Sequence, residues 1–225
     1  MPINPLPQSF FEAPPLQLAR QLLGKVLRHK VGKHWLSARI IETEAYELTE
    51  RASHSSLGYT ASRAPMFMAP GTIYMYYARG GDSLNFSAQG KGNAVLIKSA
   101  VPVTDKISPA TSLDLMHQLN PVNGRRRIDH KLCSGQTLLC RSLGLRVPIW
   151  NGRVLDPVQF YLEDDGYELQ QMVQCRRLGI PTGRDEHLPY RFVDRDFVRS
   201  CSKNPLSERN AIADRDFYLH DLNAN

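Results

Sequence analysis

The chain has 225 residues, 42% hydrophobic and 22% charged, enough for one substantial core and unlike a disordered or collagen-like chain. Lys and Arg number 28 against 22 Asp and Glu, a net charge of +6, which favours a polyanionic partner such as nucleic acid. No run reaches the roughly 20 apolar residues of a membrane span, and the proline-rich start has no basic segment followed by an apolar run; the expectation is a soluble, intracellular protein without a membrane partner.

Residues 1–15 hold five of the 15 prolines and read as an extended arm. From Pro15, the pairs Leu18/Ala19, Leu22/Leu23 and Val26/Leu27 recur at helical spacing. Gly24 is a helix stop, in which case Val26–His29 begins a strand. Gly32-Lys33 reads as a turn, and from Trp35 the period changes to two. Alternation then places Leu36, Ala38 and Ile40 on one face and continues the same parity into Glu42, Glu44 and Tyr46. Either this strand emerges into solvent at Glu42, or its core face turns from aliphatic to carboxylate, a conflict typical of functional sites.

Beyond a polar loop containing His54, residues 66–102 read as an antiparallel meander. Thr72–Ala78 is a tyrosine-rich strand, Arg79-Gly80-Gly81-Asp82 a glycine turn, Ser83–Ala88 the return strand and Ala94–Ser99 a buried run. Tyr74 and Tyr76 share a face, and Tyr77 lies on the other. Residues 104–131 are polar and include the basic cluster Arg125-Arg126-Arg127. Ser134-Gly135 caps a short helix through Leu143, closed by Gly144, and a strand-rich region runs from Val154 to about Val198. Cys133, Cys140, Cys175 and Cys201 show neither a CxxC pair nor a His at zinc-finger spacing, so they read as buried thiols, with no structural metal.

A glutamate at the mouth of a sheet, beside tyrosines and in a basic chain, suits hydrolysis of a nucleic-acid bond. The carboxylate acts as general base on water, more usefully if burial moves its pKa toward neutrality. Tyrosine faces stack a base, more strongly when the base is cationic. A glycine hairpin tip with an arginine can approach a DNA groove closely.

The run Arg39-Ile40-Ile41-Glu42-Thr43-Glu44-Ala45-Tyr46, then Ala52-Ser53-His54, resembles the signature of the alkyladenine (3-methyladenine, methylpurine) DNA glycosylase family. So do Met66-Phe67-Met68-Ala69-Pro70-Gly71-Thr72-Ile73-Tyr74-Met75-Tyr76, Asn85, Ala94-Val95-Leu96-Ile97-Lys98, Leu132-Cys133-Ser134-Gly135 and Pro189-Tyr190-Arg191-Phe192. The resemblance covers most of residues 16–200, leaving an arm (1–15) and a C-terminal tail (201–225). It implies an α+β single domain, with a curved antiparallel sheet flanked by helices and a protruding β-hairpin. It further implies a monomeric, monofunctional glycosylase without cofactors or lyase activity. Such an enzyme flips damaged purines out of double-stranded DNA and hydrolyses the N-glycosidic bond, starting base excision repair.

By position, the resemblance makes Glu44 the base that activates water, with Lys98 near that water where the family has arginine. Tyr46, His54 and Tyr76 line the base pocket, Asn85 screens out normal guanine, and Glu42 is structural. The family's Tyr-Gly-Met hairpin tip is replaced by Tyr77-Ala78-Arg79-Gly80-Gly81-Asp82, which reads as one residue shorter. Arg79, beside Gly80, is the nearest substitute for the tyrosine wedge, with Tyr77 the alternative if the hairpin register shifts, implying weaker flipping or a changed substrate range. Gly135 opens a reduced form of a Gly-Pro-Gly-Lys-like DNA-contacting motif; Arg125 and Arg126 either compensate for it or belong to a solvated basic loop, the reading that ordinarily holds for such a run. The alternative is a non-catalytic nucleic-acid-binding module of the same fold.

Overall fold

The computed structural model describes residues 4–78 and 80–222. Arg79, and with it the wedge role expected of that residue, lies outside the described residues. Pro15 fixes the first turn of α1 (Pro15–Leu22), whose apolar stripe buries Leu18, Ala19 and Leu22. Gly24, at φ +83°, ends the helical course. The chain then enters β1 (Val26–Val31), turns at Gly32-Lys33 and returns as the long β2 (His34–Tyr46), with Val31 opposite His34.

The meander follows as β3 (Ile73–Ala78), β4 (Gly81–Ser87) and β5 (Ala94–Pro102). Helices α2 (Ala110–Leu119), α3 (Gln136–Leu143) and α4 (Val147–Trp150) come next, then β6 (Phe160–Glu163), β7 (Gln171–Cys175), β8 (Arg191–Asp194) and β9 (Phe217–Asp221). Gly144, in the left-handed region at φ +68°, closes α3.

All described strand pairings are antiparallel, in the order β3-β4-β5-β2-β8-β7-β9, with β1 pairing both β2 and β6. The sheet does not close, and with the four helices it makes an α+β single domain. One flank of β2 is shared: residues 34–39 pair β1, and residues 42–44 pair β8. β9, from the segment read as a tail, adds to the sheet edge at β7.

The main core lies on the face of β2 that carries Leu36, Ala38 and Ile40, under α1 and α3. The unbroken parity expected along β2 fails at Ile41. Opposite β5, Ile40 pairs Ala100, Glu42 pairs Ser99 and Thr43 pairs Ile97, so Ile41 and Lys98 each fall in an irregularity of register. Such a bulge turns the following side chains over. Beyond it Thr43 hydroxyl bonds the Ala19 carbonyl of α1 at 2.8 Å and Ala45 joins the main core. Ile41 instead joins a second cluster with Val173, Val193 and Cys201. The carboxylates therefore face away from the main core. They also do not reach solvent, because Glu42 and Glu44 are both 0% exposed. The four cysteines are buried and unbridged.

Candidate active site

β2 carries Glu44 and Tyr46, β3 carries Tyr74 and Tyr76, β4 carries Asn85 and β5 carries Lys98; the 3-10 turn His54–Leu57 closes over them. Their side chains, Glu44 excepted, line a cleft of about 310 Å³, completed by Gln136 at the start of α3 and by residues 178–181 and Arg184 from the loop after β7. The loop crosses because Tyr190, just ahead of β8, accepts the Ala45 N–H at 2.8 Å on its carbonyl.

Glu44 lies behind the cleft wall. Its Oε2 accepts the Tyr46 hydroxyl at 2.7 Å, while Oε1 lies 3.3 Å from Lys98 Nζ and 3.4 Å from the Leu178 N–H. Tyr46, Lys98 and Leu178 all line the cleft. Burial pushes the carboxyl pKa up, but Lys98, Arg191, the Tyr46 hydroxyl and the Leu178 N–H together hold it below its ordinary value. The group is thus an anion at neutral pH, and the upward shift anticipated from burial does not occur. Burial, then the neighbouring Glu44 charge, pushes Tyr46 well above the usual phenol range, so Tyr46 stays a donor.

Aromatic rings supply the rest of the wall. His54 and Tyr76 meet at 4.5 Å between centroids, Tyr74 and Tyr76 at 5.6 Å, and His54 Nδ1 lies 2.9 Å from the Tyr74 hydroxyl. Burial, with Arg63 and Arg184 nearby, lowers the His54 pKa, leaving a neutral ring at pH 7. Asn85 is fixed by donating from Nδ2 to the Tyr74 carbonyl at 3.0 Å. Lys98 Nζ also donates to Gln136 Oε1 at 3.2 Å, and Gln136 Nε2 to Ser83 Oγ at 2.8 Å.

Glu42 points into a different network. Ser99 Oγ and Ser202 Oγ each donate to it at 2.5 Å, Ser202 N–H at 3.0 Å, and Arg191 Nη1 stands 3.7 Å away. This carboxylate ties Ser202 to the sheet and does not line the cleft.

The remaining expected residues lie elsewhere. Tyr77, 70% exposed, pairs Asp82 in an unshifted register and lines a separate hollow with Gly80 and Arg141 on the far side of the hairpin. Gly81 seats that end of the hairpin on α3; a Cβ there would lie 2.1 Å from Thr137 Cγ2. The Gly135 N–H is taken by Ser99 Oγ at 2.9 Å. Gly135 borders a smaller hollow beside Lys98 and Ser202. Arg125 and Arg126 are exposed and line none of these hollows. Among the described residues no three His, Cys, Asp or Glu side chains form a metal-holding group, and no helix is long and apolar enough to cross a membrane.

The model of the methylpurine-DNA glycosylase (MPG) family matches residues 9–197. The chain belongs to the methylpurine-DNA glycosylase family. Among its relatives, a Pseudomonas aeruginosa (strain LESB58) protein is 57% identical over 217 residues, covering 96% of this chain and 90% of the relative. One from Pseudomonas savastanoi pv. phaseolicola is 56% identical over 217 residues, covering 96% and 97%. One from Methanocella arvoryzae is 33% identical over 201 residues, covering 87% and 94%. All three bear the name "Putative 3-methyladenine DNA glycosylase". In this chain, sequence reading missed Tyr74, Gln136, Leu178 and Arg184 of the cleft. Tyr74 had a usable signal in its shared parity with Tyr76. The others come from a helix start and a distant loop, whose approach to β2 no local pattern encodes.

Proposed function

We propose that this protein is a monofunctional hydrolase that extrudes an alkylated or deaminated purine from duplex DNA and cleaves its N-glycosidic bond with water activated by Glu44. The observation that carries this reading is an ionised carboxylate with no exposed surface, set behind a tyrosine- and histidine-walled cleft. The Tyr46 hydroxyl and the Leu178 N–H occupy two of the roughly four lone-pair positions of that carboxylate, and Lys98 pairs with it as an ion. A remaining position takes the water. As the water oxygen bonds to C1′, Glu44 accepts its proton, and the C1′–N electron pair leaves with the base.

A cationic purine departs neutral and needs no proton donor. That suits a wall of aromatic faces, which attracts the charged base before cleavage. Asn85, held against the Tyr74 carbonyl, crowds the purine edge and discriminates against an exocyclic amine. Hypoxanthine and etheno-adducts leave less readily than 3-methyladenine or 7-methylguanine, because each must be protonated as it departs. Extrusion itself costs a few kcal/mol, less at weakened pairs, which favours damaged sites.

Single-turnover excision from duplexes carrying each of these lesions tests the reading. The expected result is base release that leaves an alkali-labile, otherwise uncut strand, with Glu44→Gln slower by about 100- to 10,000-fold. A nucleic-acid-binding module without catalysis would bind the duplexes and release no base from either protein.

A further inference from the structure

The chemistry above leaves one buried ion pair beside the cleft without a part. Arg177 and Glu50 are 5% and 4% exposed. Arg177 Nη1 donates to Glu50 Oε1 at 2.7 Å and to the Ala45 carbonyl at 2.7 Å, and Nη2 pairs with Glu50 Oε2. The guanidinium also lies over the Tyr46 ring, 4.6 Å from its centroid, and 5.4 Å from that of Tyr190. A well-packed apolar pair would stabilise such a place as well as a buried ion pair does, so its presence points to a geometric role.

We propose that Arg177, gripped by Glu50, is a positioning residue for base excision, fixing the Tyr46 ring and the Leu178 peptide against Glu44. The inference rests on the hydrolytic reading of the site. Arg177 reaches Tyr46 twice, through the ring face and through the carbonyl of the preceding residue. It reaches Leu178 through the chain, since Leu178 is its neighbour and donates its N–H to Glu44. Among the described residues, Tyr46 and Leu178 hydrogen-bond the Glu44 carboxylate and Lys98 pairs with it. Meeting a carboxylate and a carbonyl while lying on a ring requires a planar fork, which an ammonium does not offer.

The test compares wild type with Arg177→Lys, with Arg177→Met plus Glu50→Gln, with Tyr46→Leu, and with Tyr46→Leu plus Arg177→Lys. Each is measured for single-turnover release of 7-methylguanine, for affinity toward a duplex bearing an abasic-site analogue, and for thermal unfolding. Arg177→Lys is expected to slow release by about 10- to 100-fold, with affinity kept within about threefold, because the group acts on geometry at the reacting centre. On the Tyr46→Leu background the same change should cost less than it does alone, because the two residues act in one chain. The Met/Gln pair leaves no unpaired buried charge and should show the same loss of rate while remaining folded; should it unfold, Arg177→Lys decides.

Wild-type release by Arg177→Lys or by the folded Met/Gln pair would overturn the proposal, as would losses that multiply on the Tyr46→Leu background. No release by wild type, or equal release by Glu44→Gln, would instead overturn the hydrolytic reading beneath it.

Discussion

A carboxyl group with no exposed surface ordinarily takes up a proton, because burial penalises its charged form. Glu44 stays charged because four partners oppose that penalty, with Lys98 the strongest and Arg191 next. Its lowered pKa means that excision should be flat across neutral pH and should fail only in acid, where the carboxylate finally protonates. Lys98→Met removes the strongest opposing charge, so the acid limb of the single-turnover rate should move to higher pH. Lys98→Arg should leave it near its wild-type position. An unmoved limb in Lys98→Met would show that Lys98 does not set the charge of Glu44. The Glu-x-Glu-x-Tyr pattern made this residue readable in the sequence. The charge state was not readable, because Lys98, Arg191 and Leu178 are 54, 147 and 134 positions away along the chain.

At the scale of elements, the decisive feature is the irregularity in β2 near Ile41. Strict alternation would have pointed Glu42 and Glu44 into the aliphatic core with Leu36 and Ile40. One unpaired residue turns them to the other face, into a layer that β8 supplies with Arg191. Ser134 does not cap α3 as expected, since its hydroxyl donates to the Cys201 carbonyl at 3.0 Å, and β9 lies in the segment read as a tail. The strands β1 to β5, α1 and the Gly144 stop of α3 were legible from periodicity and glycine positions. The bulge was not, since a β-bulge answers to register with a partner strand that alternation within β2 does not encode. Arg191 is 1% exposed, stands 3.7 Å from Glu42 and contributes to holding Glu44 ionised. Arg191→Met should therefore destabilise the fold by about 3–5 kcal/mol at neutral pH, as removal of one partner from a buried charge cluster does. The sign with pH follows from Glu44. A depressed folded pKa adds stability above the unfolded value, about 4.3, and that stability is lost as pH falls through the folded one. Urea unfolding should thus show a gap between wild type and Arg191→Met that is widest near neutrality and narrows in acid. A gap that persists unchanged in acid would place the cost in packing alone.

Over the whole molecule, a charge of +6 says little about where DNA would lie until the acidic partners are placed. The Arg125–Arg127 cluster was the obvious basic patch in the sequence, yet Arg126 sits 2.8 Å from Asp114 and 3.9 Å from Asp129, which neutralise much of its field. A less conspicuous set lies near the cleft, with Arg184 in its lining and Arg63 beside His54. Arg63 Nη1 donates to the carbonyls of Leu57 and Gly58, Arg184 to that of Arg51, and Arg51 to that of Gly183. Among the described residues none of these three guanidinium groups has an ion-pair partner, and Arg63 and Arg184 are close enough to lower the His54 pKa. Carbonyl-held arginines keep their charge for an incoming phosphate. Sequence could not single them out, because 12 and 121 residues separate the members of the set. Affinity for undamaged duplex, measured over a salt series, distinguishes the two patches. Removing one arginine–phosphate pairing should flatten the slope of log affinity against log salt by about 0.9, so Arg63→Gln and Arg184→Gln should each do so, while Arg126→Gln should leave it nearly unchanged. The reverse ranking would move the DNA track away from the cleft rim and onto the α2–α3 side of the molecule.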